Sequence, residues 1–398
     1  MAPGVGRKFV NCQGIEKYLS DKKFKVIMAI RIMHTADNHI GLEFRNQPEI
    51  RDSLVQERFD ALERIVAEAN ARNCDFLVVA GDLFDNLKVA VTSIDKVVEI
   101  LKKFNANVIV LPGNHDFHGD DVPPLWKHFT DKITGSQITL LSKSGKHEYI
   151  LHDRKLIFYG CPCHSKHAPG HVIGWVKDVP KDPEVLHIGV AHGNVEGLGL
   201  DDEGRYFHMT REDLRQSGTD LWLLGHIHKP SPAPGYVGND LHFMCGSSAP
   251  EHIKRDTVGN AWYIEVDEAK KVKFEPFRSG RIHFKRIQQQ LMSDDDISVF
   301  MEQWERQADA DMVIEMRLTG HLTDEQRIRL QEWISGIRDK YFHLILEQDI
   351  IRRIRPEDIS RDFEDGSFQH QLLTKLSVDV SDERALQMAY DIIKEIER

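Results

Sequence analysis

Five apolar runs in this chain each end in side chains that ligate metals. IRIMHTA (30–36) is followed by Asp37, Asn38 and His39, FLVVAG (76–81) by Asp82, and VIVLPG (108–113) by Asn114, His115 and Asp116. IGVA (188–191) is followed by His192, and LWLLG (221–225) by His226, Ile227 and His228. Two divalent cations about 3.5–4 Å apart can clamp a phosphate, activate a water and stabilise a departing oxygen. Such a pair needs a bridging carboxylate, further carboxylate and imidazole ligands, and open positions. Asp37, Asp82, the Asn114 carbonyl, His39, His192, His226 and His228 supply that inventory. Oxygen and nitrogen donors without thiolate suit Mn, Fe or Zn better than a structural zinc finger does. Taken singly these features are ordinary, since Asp at a strand end caps helices or turns and Gly-Asn-His-Asp makes a tight turn. Their joint occurrence at five strand ends carries the reading.

Convergence of five loops requires a sheet, because ligands of open α/β sheets bind beyond the carboxyl ends of the strands. Residues 30–36, 76–80 and 108–111 read as buried strands. Between them, 51–72 places Leu54, Phe59, Leu62, Ile65, Val66 and Ala69 at helical spacing, and 91–104 does so with Ile94, Val97, Val98, Leu101 and Phe104. This βαβαβ pattern implies largely parallel strands with helices on the sheet faces. Shorter strands follow at 138–141, 149–151, 156–159, 186–191, 221–224, 243–245 and 262–266. Thr210 with Asp213, and Thr323 with Gln326, form capping-box signals.

Composition shifts after Gly280. Strands at 282–291, 312–319 and 343–348, with helices at 295–308 and 323–341, describe a small α+β unit around Phe300, Trp304, Leu330, Trp333, Ile334 and Ile337. Residues 355–367 read as an acidic linker. A last helix after Ser381 carries Leu386, Ala389, Tyr390, Ile393 and Ile396 as a stripe. The expected organisation is an appendage at 1–27, a catalytic unit at 28–280, a capping unit at 281–352, and a linker with a C-terminal helix at 353–398.

The 398 residues include 52 Lys and Arg against 63 Asp and Glu, a net charge of −11. No global field favours a polyanion, so any nucleic-acid contact must rest on local basic patches and bound cations. No apolar run approaches the roughly 20 residues of a membrane span, and the Lys-rich start lacks a signal-peptide pattern. Five cysteines without a CxxC pair exclude a disulfide scaffold and point to a reducing cytoplasm. Cys161, Cys163, His164, His167 and His171 match no zinc spacing.

The set D-x-H, GD, GNHD, H and GHxH resembles the calcineurin-like metallophosphoesterase superfamily. HTADNHIG, GDLFD and GNHD are most similar to the SbcD-type DNA repair nucleases, partners of the SbcC ATPase. The resemblance implies an α/β fold, with a β-sandwich core flanked by helices, a small capping domain and a C-terminal helical segment. It also implies two divalent ions, manganese above all. Asp37, His39 and His228 would hold one ion, Asn114, His192 and His226 the other, and Asp82 would bridge them. His115 would be an unligated imidazole that stabilises the transition state or protonates the leaving oxygen, with Asp85 orienting it. Asn38 stands where the nuclease group has a large residue such as Trp. The implied activity is 3'-5' exonuclease action on duplex ends and endonuclease action on single strands, in double-strand-break repair. A small-molecule or cyclic-nucleotide phosphodiesterase is the alternative. Expected partners are DNA, through Arg45, Lys143 and Lys146 with Arg154 and Lys155 as further loop charges, an SbcC-like coiled-coil ATPase, and a second copy in a homodimer. The expected location is cytoplasmic, at the nucleoid in a bacterium or archaeon.

Overall fold

The computed structural model describes residues 29–168, 170–198, 206–232, 242–250, 258–378 and 383–396. The appendage expected at 1–27 lies outside the described residues. The chain opens with β1 (Ile30–Thr35), α1 (Arg51–Ala71), β2 (Phe76–Ala80), α2 (Val91–Lys102), β3 (Asn107–Leu111), α3 (Pro124–Ile133) and β4 (Ile138–Leu140). It continues with β5 (Gly145–Leu151), β6 (Arg154–Cys161), β7 (Leu186–His192), α4 (Arg211–Gln216), β8 (Leu221–Gly225), β9 (His242–Met244), β10 (Asn260–Val266) and β11 (Val272–Arg278). α3 and β11 are additions to the sequence reading. The Thr210–Asp213 capping box at the start of α4 forms as expected.

Two sheets result, ordered β11-β10-β1-β2-β3-β4 and β5-β6-β7-β8-β9. β1 to β4 are parallel, as are β6 to β9. β10 closes the first sheet antiparallel to β1, and β5 pairs antiparallel with β6. The sheets face each other across one apolar core: Phe76, Val78 and Ile109 meet Phe158, Ile188 and Leu223, and the Phe76 and Phe158 rings lie 5.0 Å apart. Burying side chains of this size contributes about 1.5–3 kcal/mol each. α1 and α2 cover the outside of the first sheet with Leu62, Ile65, Ile94 and Val97. Because β1, β2, β3, β7 and β8 share this sandwich, the loops at their carboxyl ends open on one rim.

His34 on β1 is fully buried, and that burial lowers its pKa from 6.5 to about 3. The unfolded chain therefore binds a proton that the native state refuses, so stability falls as pH drops from about 6.5 toward 3. Between pH 7 and 5 the expected loss is about 2 kcal/mol. Urea melts of metal-free wild type and His34→Leu at both pH values check this; equal losses in the two proteins would refute it.

Past residue 280, β12 (His283–Leu291), α5 (Asp294–Arg306), β13 (Met312–Leu322), α6 (Asp324–Ile337) and β14 (His343–Arg352) alternate strictly. The three strands are parallel throughout, so the small unit read from the sequence, with its helices between the strands, is a βαβαβ layer. Phe300, Trp304, Leu330 and Ile334 bury one face of its sheet under α5 and α6. Its other face rests on the sandwich, with Ile282, Phe284 and Val313 against Phe44, Ile50 and Leu54. Thr323 and Gln326 cap α6 as expected.

The linker expected at 355–367 is instead largely structured. α7 (Pro356–Asp362) begins at a proline with Asp358 bonded back to Arg355, and α8 (Phe368–Val378) follows. Ser381 lies outside the described residues, and α9 (Glu383–Ile396) follows it. Leu386 and Tyr390 pack with Ile354, Ile359, Phe363 and Leu373, while Ile396 of the expected stripe is exposed.

Candidate metal centre

Every expected ligand reaches the common rim. Asp37 and His39 follow β1, Asp82 follows β2, Asn114 and His115 follow β3, His192 ends β7, and His226 and His228 follow β8. Asp37, His39, Asp82 and His226 take left-handed backbone, with φ of 50°, 44°, 51° and 99°. Non-glycine residues there cost on the order of 1–3 kcal/mol each and persist where surrounding structure over-determines them. The loops interlock accordingly: the Asp37 N–H bonds Gly81 O at 3.1 Å and the His39 N–H bonds Asp82 O at 3.0 Å. Gly81, at φ 91°, leaves room for His192; a Cβ there would lie 2.1 Å from the imidazole Nδ1.

One group of donors gathers around Asn114. Its Oδ1 is 3.0 Å from His192 Nε2 and 3.0 Å from His226 Nδ1, and His192 Nε2 is 3.2 Å from Asp82 Oδ2. A second group holds Asp37, His39 and His228: His228 Nε2 is 3.6 Å from Asp37 Oδ1, and His39 Nε2 is 3.7 Å from Asp82 Oδ2. Donors that share one ion at about 2.1 Å stand roughly 3–3.5 Å apart, close to these spacings. The Asp82 Oδ2 atom faces both groups, at 3.7 Å from His39 Nε2 and 3.2 Å from His192 Nε2, where a carboxylate shared by two ions would stand.

The proton inventory also fits a cation. His192 donates its Nδ1–H to Ala80 O at 2.9 Å, so Nε2 is the atom aimed at two oxygens and, once deprotonated, offers them a lone pair. Converging lone pairs are satisfied by a metal ion or by a proton. Burial alone would lower the His192 pKa, but the Asp82 carboxylate outweighs it and raises it to about 9. Burial tends to raise Asp82 as well, and there the His192 and His39 imidazoles prevail and hold it well below its ordinary value. Burial raises Asp37 despite His228 and His192. Burial and then the His192 charge depress His226 to about 3, keeping it neutral as a ligand must be.

Asp85 sits differently from expectation. His115 Nδ1 donates to the Asp85 backbone carbonyl at 2.9 Å, so the pair forms through the main chain. The Asp85 carboxylate instead lies 3.3 Å from His39 Nδ1, where it can orient a ligand imidazole as outer-shell carboxylates do. Burial would raise its pKa, but the His39 hydrogen bond outweighs that and lowers it. The His115 backbone N–H bonds Asp82 Oδ1 at 2.8 Å.

Two residues were not assigned roles from sequence. Asp116 is buried and accepts from Phe84 N at 3.0 Å and Gly113 N at 2.6 Å, tying the GDLF and GNHD loops together. Burial and the Asp82 charge raise its carboxyl to about 7. Arg58 on α1 bonds Asn38 O at 2.6 Å. Its signal was available: it falls on the buried stripe between Leu54 and Leu62.

The expected DNA contacts divide. Arg45 is exposed, pairs with Glu43 at 2.5 Å, and borders a cleft of about 1110 Å³ shared with Arg51, Asp85, Lys88 and Arg286. Lys143 is exposed and its charge reaches His118, beyond the GNHD turn. Lys146 lies on β5 opposite Tyr159. Arg154 bonds Val266 O and Asp267 O at the far end of the sandwich, and Lys155 pairs with Glu148, so neither borders the rim. Cys161 and Cys163 are buried, while His164 and His167 pair with Phe207 and Tyr206 and His171 with Asp213. Among the described residues, groups able to hold a cation gather only at the rim.

Uncharacterized metallophosphoesterase YhaO of Bacillus subtilis is 27% identical over 252 residues, 59% of this chain and 57% of the relative. DNA double-strand break repair protein Mre11 of Methanopyrus kandleri is 27% identical over 228 residues, 51% of this chain and 45% of the relative. The chain thus spans about half the length of these curated relatives. The crystal structure of calcineurin-like phosphoesterase YfkN from Bacillus subtilis matches 71% of this chain and 98% of its own, with a TM-score of 0.40 and 12% identity. The family model for calcineurin-like phosphoesterases matches residues 30–230, from β1 through GHIH. The chain therefore belongs to the calcineurin-like phosphoesterase family.

Proposed function

We propose that this phosphoesterase is a DNA nuclease that uses two divalent ions, manganese in the first instance, to hydrolyse phosphodiesters at broken ends. The observation that carries the proposal is the open cleft running from Asp85 under the three-stranded sheet, with Arg45, Arg51, Lys88 and Arg286 on its walls. A chain of phosphates is held by basic side chains beside the reacting centre. The relatives named as Mre11 DNA repair proteins support the same substrate.

A pair of divalent ions supplies charge neutralisation at the phosphoryl oxygens and an activated water. Asp37, His39 and His228 would hold one ion, Asn114, His192 and His226 the other, with Asp82 shared between them. His192 keeps its donor proton on Ala80 O, which reserves Nε2 for ligation. His115 gives its Nδ1–H to Asp85 O and so presents Nε2 to the leaving oxygen, where an imidazolium can donate. The 3'-5' direction on duplex ends, endonuclease action on single strands, a homodimer and a cytoplasmic site of action belong to this proposal. So does docking of an SbcC-like coiled-coil ATPase on α9, whose Met388, Ile392 and Ile396 are exposed at helical spacing. No helix among the described residues is long and apolar enough to cross a membrane.

A second reading, a small-molecule or cyclic-nucleotide phosphodiesterase, is favoured by the same cleft's mixed charge, since Glu43, Glu315 and Glu347 share its walls. The net charge of −11 points the same way. Rates on linear duplex DNA, a cyclic dinucleotide and a chromogenic phosphodiester, measured with Mn²⁺, separate the two. Nuclease action predicts degradation of linear duplex that EDTA abolishes. Turnover of the cyclic dinucleotide without DNA cleavage would select the alternative.

A further inference from the structure

We infer that Arg58, remote from the strand-end motifs, is a positioning residue that sets the affinity of the ion site formed by Asp37, His39 and His228. This rests on the two-ion reading above and concerns how the chain builds one half of the centre. Arg58 is 1% exposed, on the inward face of α1. Its guanidinium donates to Asn38 O at 2.6 Å, Pro250 O at 3.2 Å and Ala249 O at 3.5 Å, and stacks 5.4 Å from the Phe44 ring.

Asn38 is the residue between two ligands that both take left-handed backbone. The peptide carbonyls of this loop are each engaged from a different direction. Asp37 O accepts from Ser247 Oγ at 3.0 Å, Asn38 O from Arg58, and His39 O from the Leu42 N–H at 3.1 Å. Arg58 joins the loop to the helix behind it and, through Ala249 and Pro250, to the segment that carries Ser247. A charged, forked donor holds several carbonyls in fixed relation, which an ammonium or an amide cannot reproduce. The Asn114, His192 and His226 group has an anchor of its own in Ala80 O, although the His226 N–H also bonds the Asp37 carboxylate at 3.0 and 3.1 Å, so loss of Arg58 should fall most heavily on the ion of Asp37, His39 and His228 and less on the other.

The test is Mn²⁺ titration of wild type, Arg58→Met and Arg58→Lys, by calorimetry and EPR, with circular dichroism melts in EDTA to establish folding. Wild type binds two ions and shows a spin-coupled pair. Arg58→Met weakens one ion about 10–100-fold, the range for outer-shell support of a ligand, and the other by a smaller factor, so that an isolated six-line spectrum appears at low loading. Arg58→Lys, with one donor in place of the fork, falls between. A folded variant that binds both ions as wild type does overturns the inference, and so does failure of both variants to fold, which would make Arg58 a fold residue. Wild type that binds fewer than two ions would instead defeat the two-ion reading.

Discussion

Replacing His115 with Asn lowers phosphodiester hydrolysis by about 10²–10⁴-fold, the usual contribution of a positioned general acid, while both ions stay bound. The anchoring explains the separation. The His115 backbone N–H bonds Asp82 Oδ1, a contact that Asn keeps, and although a His115 ring nitrogen lies within 4.8 Å of donor atoms of His39 and Asp82, the substitution leaves the seven other donors in place. The ring is held by the Asp85 carbonyl, with a nitrogen left for the departing oxygen. The deficit should shrink for a nitrophenolate leaving group, which departs without a proton, and be largest for a sugar alkoxide. Steady-state rates on both substrates, with metal content by elemental analysis, check this. Loss of an ion along with activity would make His115 a ligand and remove its assigned role.

Asp82→Asn should weaken both ions together by about 100-fold or more, beyond what outer-shell changes produce, and reduce hydrolysis to background. Asn preserves the shape and the oxygen that accepts the His115 N–H. It removes the negative charge and the second oxygen, which faces His39 on one side and His192 on the other. Calorimetric titration distinguishes this outcome from retention of a single tight ion, which would show that Asp82 is not shared.

The ligands were legible in sequence because each follows an apolar strand, and strand ends in a layered α/β fold have few places to go. The grouping of His228 with Asp37, roughly 190 positions earlier, and of His226 with Asn114 and His192 came from the family resemblance and not from residue type. The Asp85–His115 contact was not legible in its true form, because a motif spacing cannot say whether a side chain or its own carbonyl makes the bond. Asp116 looked like another candidate ligand, yet two backbone N–H groups claim its carboxylate. α7 and α8 were missed because their apolar residues are sparse. Ile359, Phe363 and Leu373 are buried with one another, with Ile354 and with α9, so the helices depend on tertiary contact that no local period reveals. The strands past 280 were visible by period, whereas their parallel order depends on α5 and α6 as crossovers.

The three-stranded layer borrows its floor from Phe44, Ile50 and Leu54, which belong to the stretch leaving His39 and opening α1. A fragment cut free at residue 281 would carry Ile282, Phe284 and Val313 into water without that cover. During synthesis the floor emerges first, so the later strands arrive at a surface already laid. Damage around Phe44 would consequently surface as faulty assembly some 240 residues downstream, in a part of the chain the lesion never touches by sequence.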